Sequence, residues 1–368
     1  MATERATRWA GTMSGHTPEL GVRQAHAGDD RIRVDLTGPL DRVEREWLEG
    51  ETLAPGATRS GHLPGRRRIE EEADPLRTCF EQDRDRILHS SAFRRLAGKT
   101  QVFIFPADHQ RTRLTHALEV AQVATAIARA CRLNVALTEA IALGHDCGHG
   151  PGGHASEDAF SVFVPGFDHA VWGADVTAAP LNLCAETIDG IRNHSWSRPA
   201  PSTPEGQVVG LADRVAYCAH DLEDAAATGL VDLDHLPAIV KERCGSGRSV
   251  QLHAFVTDIV ATVQATGLIG MSEPMGEALA ALRAFNHEQI YLRPDSVAQG
   301  ERVIDLIRAL VEHLAGHPEL MPDAALCEDP LLAAVGYVDG MTDRYACTSA
   351  VSLLGWDPDR LPRGQDVK

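Results

Sequence analysis

Three histidines and an aspartate fall within ten residues in the run Gly144-His145-Asp146-Cys147-Gly148-His149-Gly150-Pro151-Gly152-Gly153-His154. Imidazole and carboxylate groups ligate divalent metals and carry protons near neutral pH. Five glycines argue against a helix here, and they let the backbone turn sharply and lie close to a ligand. Packing alone asks for none of this, so the run reads as the floor of an active site.

Two further stretches carry residue types that suit the same chemistry. In Arg113-Leu114-Thr115-His116-Ala117-Leu118-Glu119, Arg113 lies three positions before His116, so on a helix both project from nearly the same face. In Asp213-Arg214-Val215-Ala216-Tyr217-Cys218-Ala219-His220-Asp221, Asp213, Tyr217 and Asp221 stand at i, i+4 and i+8, a polar stripe on an otherwise apolar helix. Burying such a stripe is costly unless it finds partners. Taken singly the signals are weak: a lone His116 suits a packed or surface position, and Asp213 alone suits a helix N-cap. Their conjunction is stronger, because His145-Asp146 follows His116 by 29 residues and Asp213 lies 67 residues beyond Asp146. Two imidazoles and two carboxylates form a mixed nitrogen–oxygen donor set. It suits a divalent metal, Mg or Mn first and also Fe, Ni, Co or Zn, with positions left for water and phosphate. Cys147 beside them reads as a small packing residue rather than a further ligand.

The elements that must position these residues are helical. Apolar residues recur at helical spacing from Arg77 to Leu96, from Thr112 to Leu133 and from Ala136 to Leu143, the last running into the glycine-rich loop. Val102 to Pro106 reads as a short extended connection. More helices are predicted at 176–191, 207–227, 236–244, 250–266, 276–286 and 299–315, while strand alternation is scarce. The expected fold class is therefore all-α, with one main domain over 66–368 whose core spans about 110–225 and whose C-terminal helical part spans 226–350. Residues 1–65 lack sustained periodicity and predict a poorly ordered extension, although Val34 to Leu48 has some amphipathic character. Arg66-Arg67-Arg68 ahead of Glu70-Glu71-Glu72 reads as a solvated charge run at the edge of the folded part, a phosphate or nucleic-acid patch being the alternative.

A formal net charge of −17 argues against a general nucleic-acid binder, since phosphate neutralisation needs a basic surface. A small anionic substrate stays compatible if a metal and a few arginines make a local positive pocket. No apolar run approaches the roughly 18–20 residues of a membrane helix, and the N-terminal residues lack a secretory pattern. Eight cysteines occur without a C-x-x-C pair. Reduced thiols, a cytoplasmic location and no membrane partner are the expectation.

The pattern H…HD…D at His116, His145-Asp146 and Asp213 resembles the HD-domain metal-dependent phosphohydrolases. The likeness sharpens in the stretch from Asp83 to Leu96, in Lys99-Thr100-Gln101-Val102-Phe103, in Arg111 to His116, in Leu211 to Tyr217, in Ile290 to Pro294 and in Gly340-Met341-Thr342-Asp343-Arg344-Tyr345. These stretches are similar to the bacterial deoxyguanosine triphosphate triphosphohydrolase-like family, from about Arg77 to Tyr345. The resemblance implies an HD-domain helical bundle with a C-terminal helical extension, and hydrolysis of a dNTP to deoxynucleoside and inorganic triphosphate. It implies His116, His145, Asp146 and Asp213 as metal ligands, and His154 as the proton-transfer residue oriented by Glu157. It places His149, His169, Arg113 and Arg214 on phosphate, and Gln101, Tyr217 and Asp221 at the sugar. It also implies a homo-oligomer with a possible allosteric dNTP. An HD-type nucleotide phosphomonoesterase or phosphodiesterase, and a nucleotide-sensing module with vestigial catalysis, are the alternatives. The chain departs from the family pattern in two places. Gly150-Pro151-Gly152-Gly153-His154 lacks one proline and an aromatic, and Ala170 stands where an amide is usual. A more mobile loop and a different substrate range are the expected consequences.

Overall fold

The computed structural model describes residues 3–12, 21–25, 34, 38, 40–61, 65–103, 105–106, 110–322 and 328–364. Most of 1–40 and Ile104 of the expected extended connection lie outside them. Two compact units divide the chain, residues 1–40 and residues 41–368. Sixteen α-helices occur among the described residues, with isolated bridges in place of a sheet. The first unit contains α1 (Glu4–Thr12). No helix among the described residues is long and apolar enough to cross a membrane.

The second unit begins with α2 (Arg42–Thr52), α3 (Cys79–His89) and α4 (Ser91–Arg95). Then come α5 (Arg113–Ala130), α6 (Val135–Gly144), α7 (Ala155–Phe160), α8 (His169–Trp172), α9 (Ala185–Asn193) and α10 (Pro204–Ala227). The chain closes with α11 (Ala238–Cys244), α12 (Arg248–Thr266), α13 (Glu273–Asn286), α14 (Pro294–Gly316), α15 (Pro330–Asp339) and α16 (Asp343–Leu354). Helix starts follow local chemistry. Asn134 caps α6 by accepting the Leu137 N–H at 3.1 Å, and Thr203 caps α10 just before Pro204 at its first turn.

Two hydrophobic cores organise the second unit. The first gathers Ala117, Val120, Ala124 and Ile127 of α5 with Leu137 and Ile141 of α6 and Val208, Ala212 and Val215 of α10. Small residues let these three helices approach closely, which brings the start of α5 with His116 and the end of α6 with His145 to Asp213 in the middle of α10. The second core joins Ala159 and Phe160 of α7 to Val303, Leu306 and Leu310 of α14, Val335 of α15 and Ala346 of α16. Helix α7, which starts just after His154, is thus built on a different core from the three helices.

The structure moves the expected start of the folded part from residue 66 back to Asp41. Glu49 of α2 accepts the Ser60 N–H at 2.7 Å and the Asn134 amide at 3.2 Å, and buried Glu205 of α10 accepts Thr58 N–H at 3.1 Å and Asn134 N–H at 2.9 Å. These ties are polar and long-range, so hydrophobic periodicity carries no trace of them. Arg66 and Arg67 also differ from the solvated run expected, with side chains only 8% and 9% exposed. Arg66 pairs with Glu186 at 2.9 Å and Arg67 with buried Asp83, so both arginines staple this segment rather than present a phosphate patch. The helix expected over 176–191 breaks at Pro180 and at Asn182, which takes a left-handed conformation with φ 50°, and α9 starts afresh at Ala185.

One buried histidine far from any predicted role gives a pH prediction. His220 donates through Nδ1 to the Ala216 carbonyl at 2.7 Å, and burial pushes its imidazole down to about 4. The unfolded chain takes up a proton near 6.5 while the folded chain resists until about 4. Stability is therefore complete above the first value and falls with pH across that window, by about 3 kcal/mol for this group. Thermal unfolding of wild type and His220→Gln between pH 7.5 and 4.5 checks it. The variant's melting temperature should fall less steeply with acidification.

Candidate active site

The first half of the site is a buried donor cluster. His116 Nε2 lies 3.0 Å from Asp213 Oδ1, and His145 Nε2 lies 3.5 Å from Asp146 Oδ1 and 3.7 Å from Asp213 Oδ1. His145 Nδ1 donates to the Ala142 carbonyl at 2.7 Å, which leaves its Nε2 as a lone pair aimed inward with no hydrogen-bond partner. His116, His145 and Asp146 are all nearly fully buried. Burial opposes ionisation of Asp146, but the Arg113 guanidinium and the His145 and His149 imidazoles outweigh it and hold the carboxyl well below its usual range. For Asp213 burial is likewise outweighed, chiefly by the hydrogen bond from His116. An inward, orphaned imidazole nitrogen among ionised carboxylates fits a divalent cation, and the bond from Nδ1 to the Ala142 carbonyl fixes the ring as such sites require.

His194, at the end of α9, belongs to the same cluster and was not anticipated. Its Nδ1 meets the Ile191 carbonyl at 2.8 Å, and its ring stands edge-on to His145 with centroids 4.9 Å apart. His194 groups with His145 and Asp213 as a set able to hold a metal. Its one sequence signal is a histidine closing a helix, among 17 histidines in the chain. Cys147 stays outside these sets. It is buried, and burial pushes its thiol up to about 12, as suits a packing residue.

The second half is a proton-carrying group on the glycine loop. Gly152 and Gly153 take φ of +75° and +65°, a conformation that side chains disfavour, and a Cβ on Gly153 would stand 2.9 Å from Arg113 Nη2. The turn sets His154 with Nδ1 2.8 Å from Glu157 Oε1 and with 75% of its side chain exposed. Donation to the carboxylate leaves Nε2 as the nitrogen facing the cavity. His169 Nδ1 approaches the same Oε1 at 3.0 Å. Burial works against the Glu157 charge, yet bonds from His154 and His169 hold it ionised; conversely, burial works against His169 but Glu157 raises its imidazole. His149 stacks on His169 at 3.7 Å, fully buried, with Nε2 3.3 Å from Asp146 Oδ1. It lies behind His169 rather than at the cavity wall.

A cavity of about 700 Å³ opens between the two halves. That is the size of a small-ligand cleft. Gln101, Arg113, Arg214, Tyr217 and Asp221 all line it, as do His116, Asp146, His154, His169 and Asp213. The Asp221 carboxylate is already engaged by Arg111 and by the Tyr291 hydroxyl, and the Tyr217 hydroxyl accepts from Arg283 Nε at 3.0 Å. The Arg214 guanidinium lies over the Trp196 ring at 3.9 Å. Trp196 and Arg283 are wall residues that local pattern did not mark, while Tyr291 lies in the Ile290 to Pro294 stretch that carries the resemblance. Arg283 and Tyr291 share one helical run, and the fold brings Trp196 to the same cavity.

Arg113 defines the ligand's charge. It is 2% exposed and donates Nη1 to Asp146 Oδ2 at 2.6 Å, while its buried Nε and Nη2 have no hydrogen-bond partner. A buried guanidinium with two spare donors on a cavity wall calls for an anion that accepts in a fork, which phosphate does and a lysine could not match. Arg113→Lys should weaken binding of inorganic triphosphate at least about tenfold by calorimetric titration. Unchanged affinity would remove Arg113 from the anion site.

Residues 113–218 match the HD domain, and residues 269–351 match the phosphohydrolase-associated domain. A deoxyguanosinetriphosphate triphosphohydrolase-like protein of Caldanaerobacter subterraneus subsp. tengcongensis is 41% identical, over 82% of this chain and 92% of its own length. Proteins of the same description from Clostridium perfringens and Syntrophus aciditrophicus are 40% and 37% identical, over 79% and 82% of this chain and 90% and 94% of their own lengths.

Proposed function

Since the chain belongs to the deoxyguanosinetriphosphate triphosphohydrolase-like family of HD-domain phosphohydrolases, we propose that it hydrolyses deoxynucleoside triphosphates to deoxynucleoside and intact inorganic triphosphate. One observation carries the reading. A single cavity is walled by a buried divalent-metal donor set, by an arginine with two unused donors, and by a histidine–glutamate pair with its free nitrogen exposed.

In this reading His116, His145, Asp146 and Asp213 hold a divalent cation, which supplies Lewis-acid charge against the phosphate that undergoes substitution. Arg113 donates to phosphate oxygens through Nε and Nη2, and Arg214 adds positive charge at the same cavity wall. His154 delivers a proton from Nε2 to the departing 5′-oxygen, a contribution of about 10²–10⁴-fold. Glu157 keeps His154 in the tautomer and orientation for that transfer and stabilises the imidazolium form. His169, raised by Glu157 and facing it through Nδ1 while Nε2 faces His194, adds positive charge at the cavity wall. Gln101 and Asp221 face the sugar, the latter fixed by Arg111 and Tyr291. The Tyr217 ring fills the space a ribose 2′-hydroxyl needs, which favours deoxyribose.

Incubation with each dNTP in Mg²⁺ or Mn²⁺, followed by separation of products, tests the proposal. Deoxynucleoside and triphosphate are expected from at least one dNTP. Release of phosphate or pyrophosphate would assign the site to a phosphomonoesterase or phosphodiesterase instead. Nucleotide binding with no turnover under any of these conditions would point to a sensing module.

A further inference from the structure

The loop that carries His154 holds three glycines, two of them at positive φ, yet it is tied down from outside. Gly152 N–H donates to Asp343 Oδ1 at 2.8 Å, across 191 residues of sequence. The second oxygen of the same carboxylate accepts the Thr100 N–H at 3.0 Å and the Thr100 hydroxyl. Asp343 is buried, so its charge depends on keeping these three donors. One residue earlier, the buried Lys99 ammonium donates to the His149 carbonyl and to the Asp339 carbonyl, the latter at 2.8 Å. The Lys99 carbonyl in turn accepts the Arg113 N–H at 3.2 Å. The loop is thus fastened at His149 to the end of α15 by way of Lys99, and at Gly152 directly to Asp343 at the start of α16, which also holds Thr100.

The packing points the same way. A side chain at Gly152 would run into Val303 of α14, and Thr100 O lies 3.0 Å from where a Cβ on Gly153 would stand. Helix α7, directly after His154, sits on the second core with α14–α16, whereas the helices bearing His116, Asp146 and Asp213 sit around the first. The donor cluster and the proton-carrying histidine therefore stand on different supports, and Lys99-Thr100 is the seam between them.

We infer that the C-terminal segment 269–351 serves this chain as the positioning device of the His154 loop. Asp343 acts through Thr100 and Gly152, and Asp339 acts through Lys99, to set His154 against the donor cluster. Asp343 does not line the cavity, so it is a positioning residue, and it takes over from afar the stiffening that the glycine-rich loop lacks. The inference rests on the proton-transfer role proposed for His154.

The test is hydrogen exchange read by mass spectrometry on the full, metal-loaded chain, for wild type, Asp343→Asn, Thr100→Val and Thr100→Ser. In Asp343→Asn one of the two oxygens becomes an amide NH₂, which then faces either the Gly152 N–H or the two Thr100 donors. In Thr100→Val the hydroxyl donor is gone and the shape is kept. Peptides covering 148–158 should exchange at least about tenfold faster in both, while peptides covering 208–218 and the metal content stay at wild-type values. Turnover should show kcat down about 10–100-fold with KM within about threefold, and Thr100→Ser should restore both readouts. Unchanged exchange at 148–158 would overturn the inference. So would faster exchange over the whole chain with loss of metal, since that marks a general structural role. Should the wild type turn over no dNTP, the exchange pattern still decides the positioning claim, and only the chemical reading falls. If Asp343→Asn fails to fold, the Thr100 pair decides alone.

Discussion

Asp146→Ala is expected to abolish turnover, by at least about 10⁴-fold, and to release the divalent metal in the same step. One carboxylate serves both halves of the site. Its Oδ2 holds Arg113 at 2.6 Å, and its Oδ1 lies 3.5 Å from His145 and 3.3 Å from His149. Deleting it removes one of two anionic metal ligands and leaves the guanidinium buried without its counter-ion, a loss of about 3–5 kcal/mol for a broken buried pair. Metal content by mass spectrometry and turnover should fall together. Asp146→Asn keeps the shape and one acceptor, so it should retain the fold while losing most of the metal. Full metal occupancy in either variant would contradict the assigned donor set.

His154→Gln should behave in the opposite way. Metal content and KM should hold near wild type while kcat drops by about 10²–10⁴-fold, the range for a lost general acid. The ring is exposed and held by Glu157 alone among side chains at hydrogen-bond distance, so its removal disturbs no core. The deficit should shrink to about tenfold or less for a nitrophenyl ester, whose leaving group needs no proton. An equal deficit on both substrates would make His154 a binding residue. The two variants together separate metal and phosphate positioning from proton delivery.

Much of this site could be read from the chain because its parts are local. His116, Asp213, Tyr217 and Asp221 are marked by helical spacing, and His145, Asp146 and His154 by their shared glycine loop. Helical periodicity likewise made the all-α fold legible, because burial of one face leaves its period in the sequence. The residues missed have partners far away in the chain. His194 reaches the donor cluster from the end of α9, and Trp196 packs under Arg214. Glu49, Glu205, Arg66 and Arg67 bind segments through polar contacts, which leave no period behind. Asp343 sat in a stretch noted for its resemblance, but its role needed Gly152 and Thr100 in place. His149 shows the converse limit. The family resemblance implies a phosphate contact for it, while stacking on His169 leaves it buried off the cavity wall.

In the proposed reaction water attacks phosphorus and the bond from the α-phosphate to the 5′-oxygen breaks. Turnover of a dNTP in ¹⁸O-labelled water, with both products analysed by mass spectrometry, reads this out. One ¹⁸O is expected in the released triphosphate and none in the deoxynucleoside. Label in the deoxynucleoside, or label in phosphate or pyrophosphate in place of triphosphate, would contradict it.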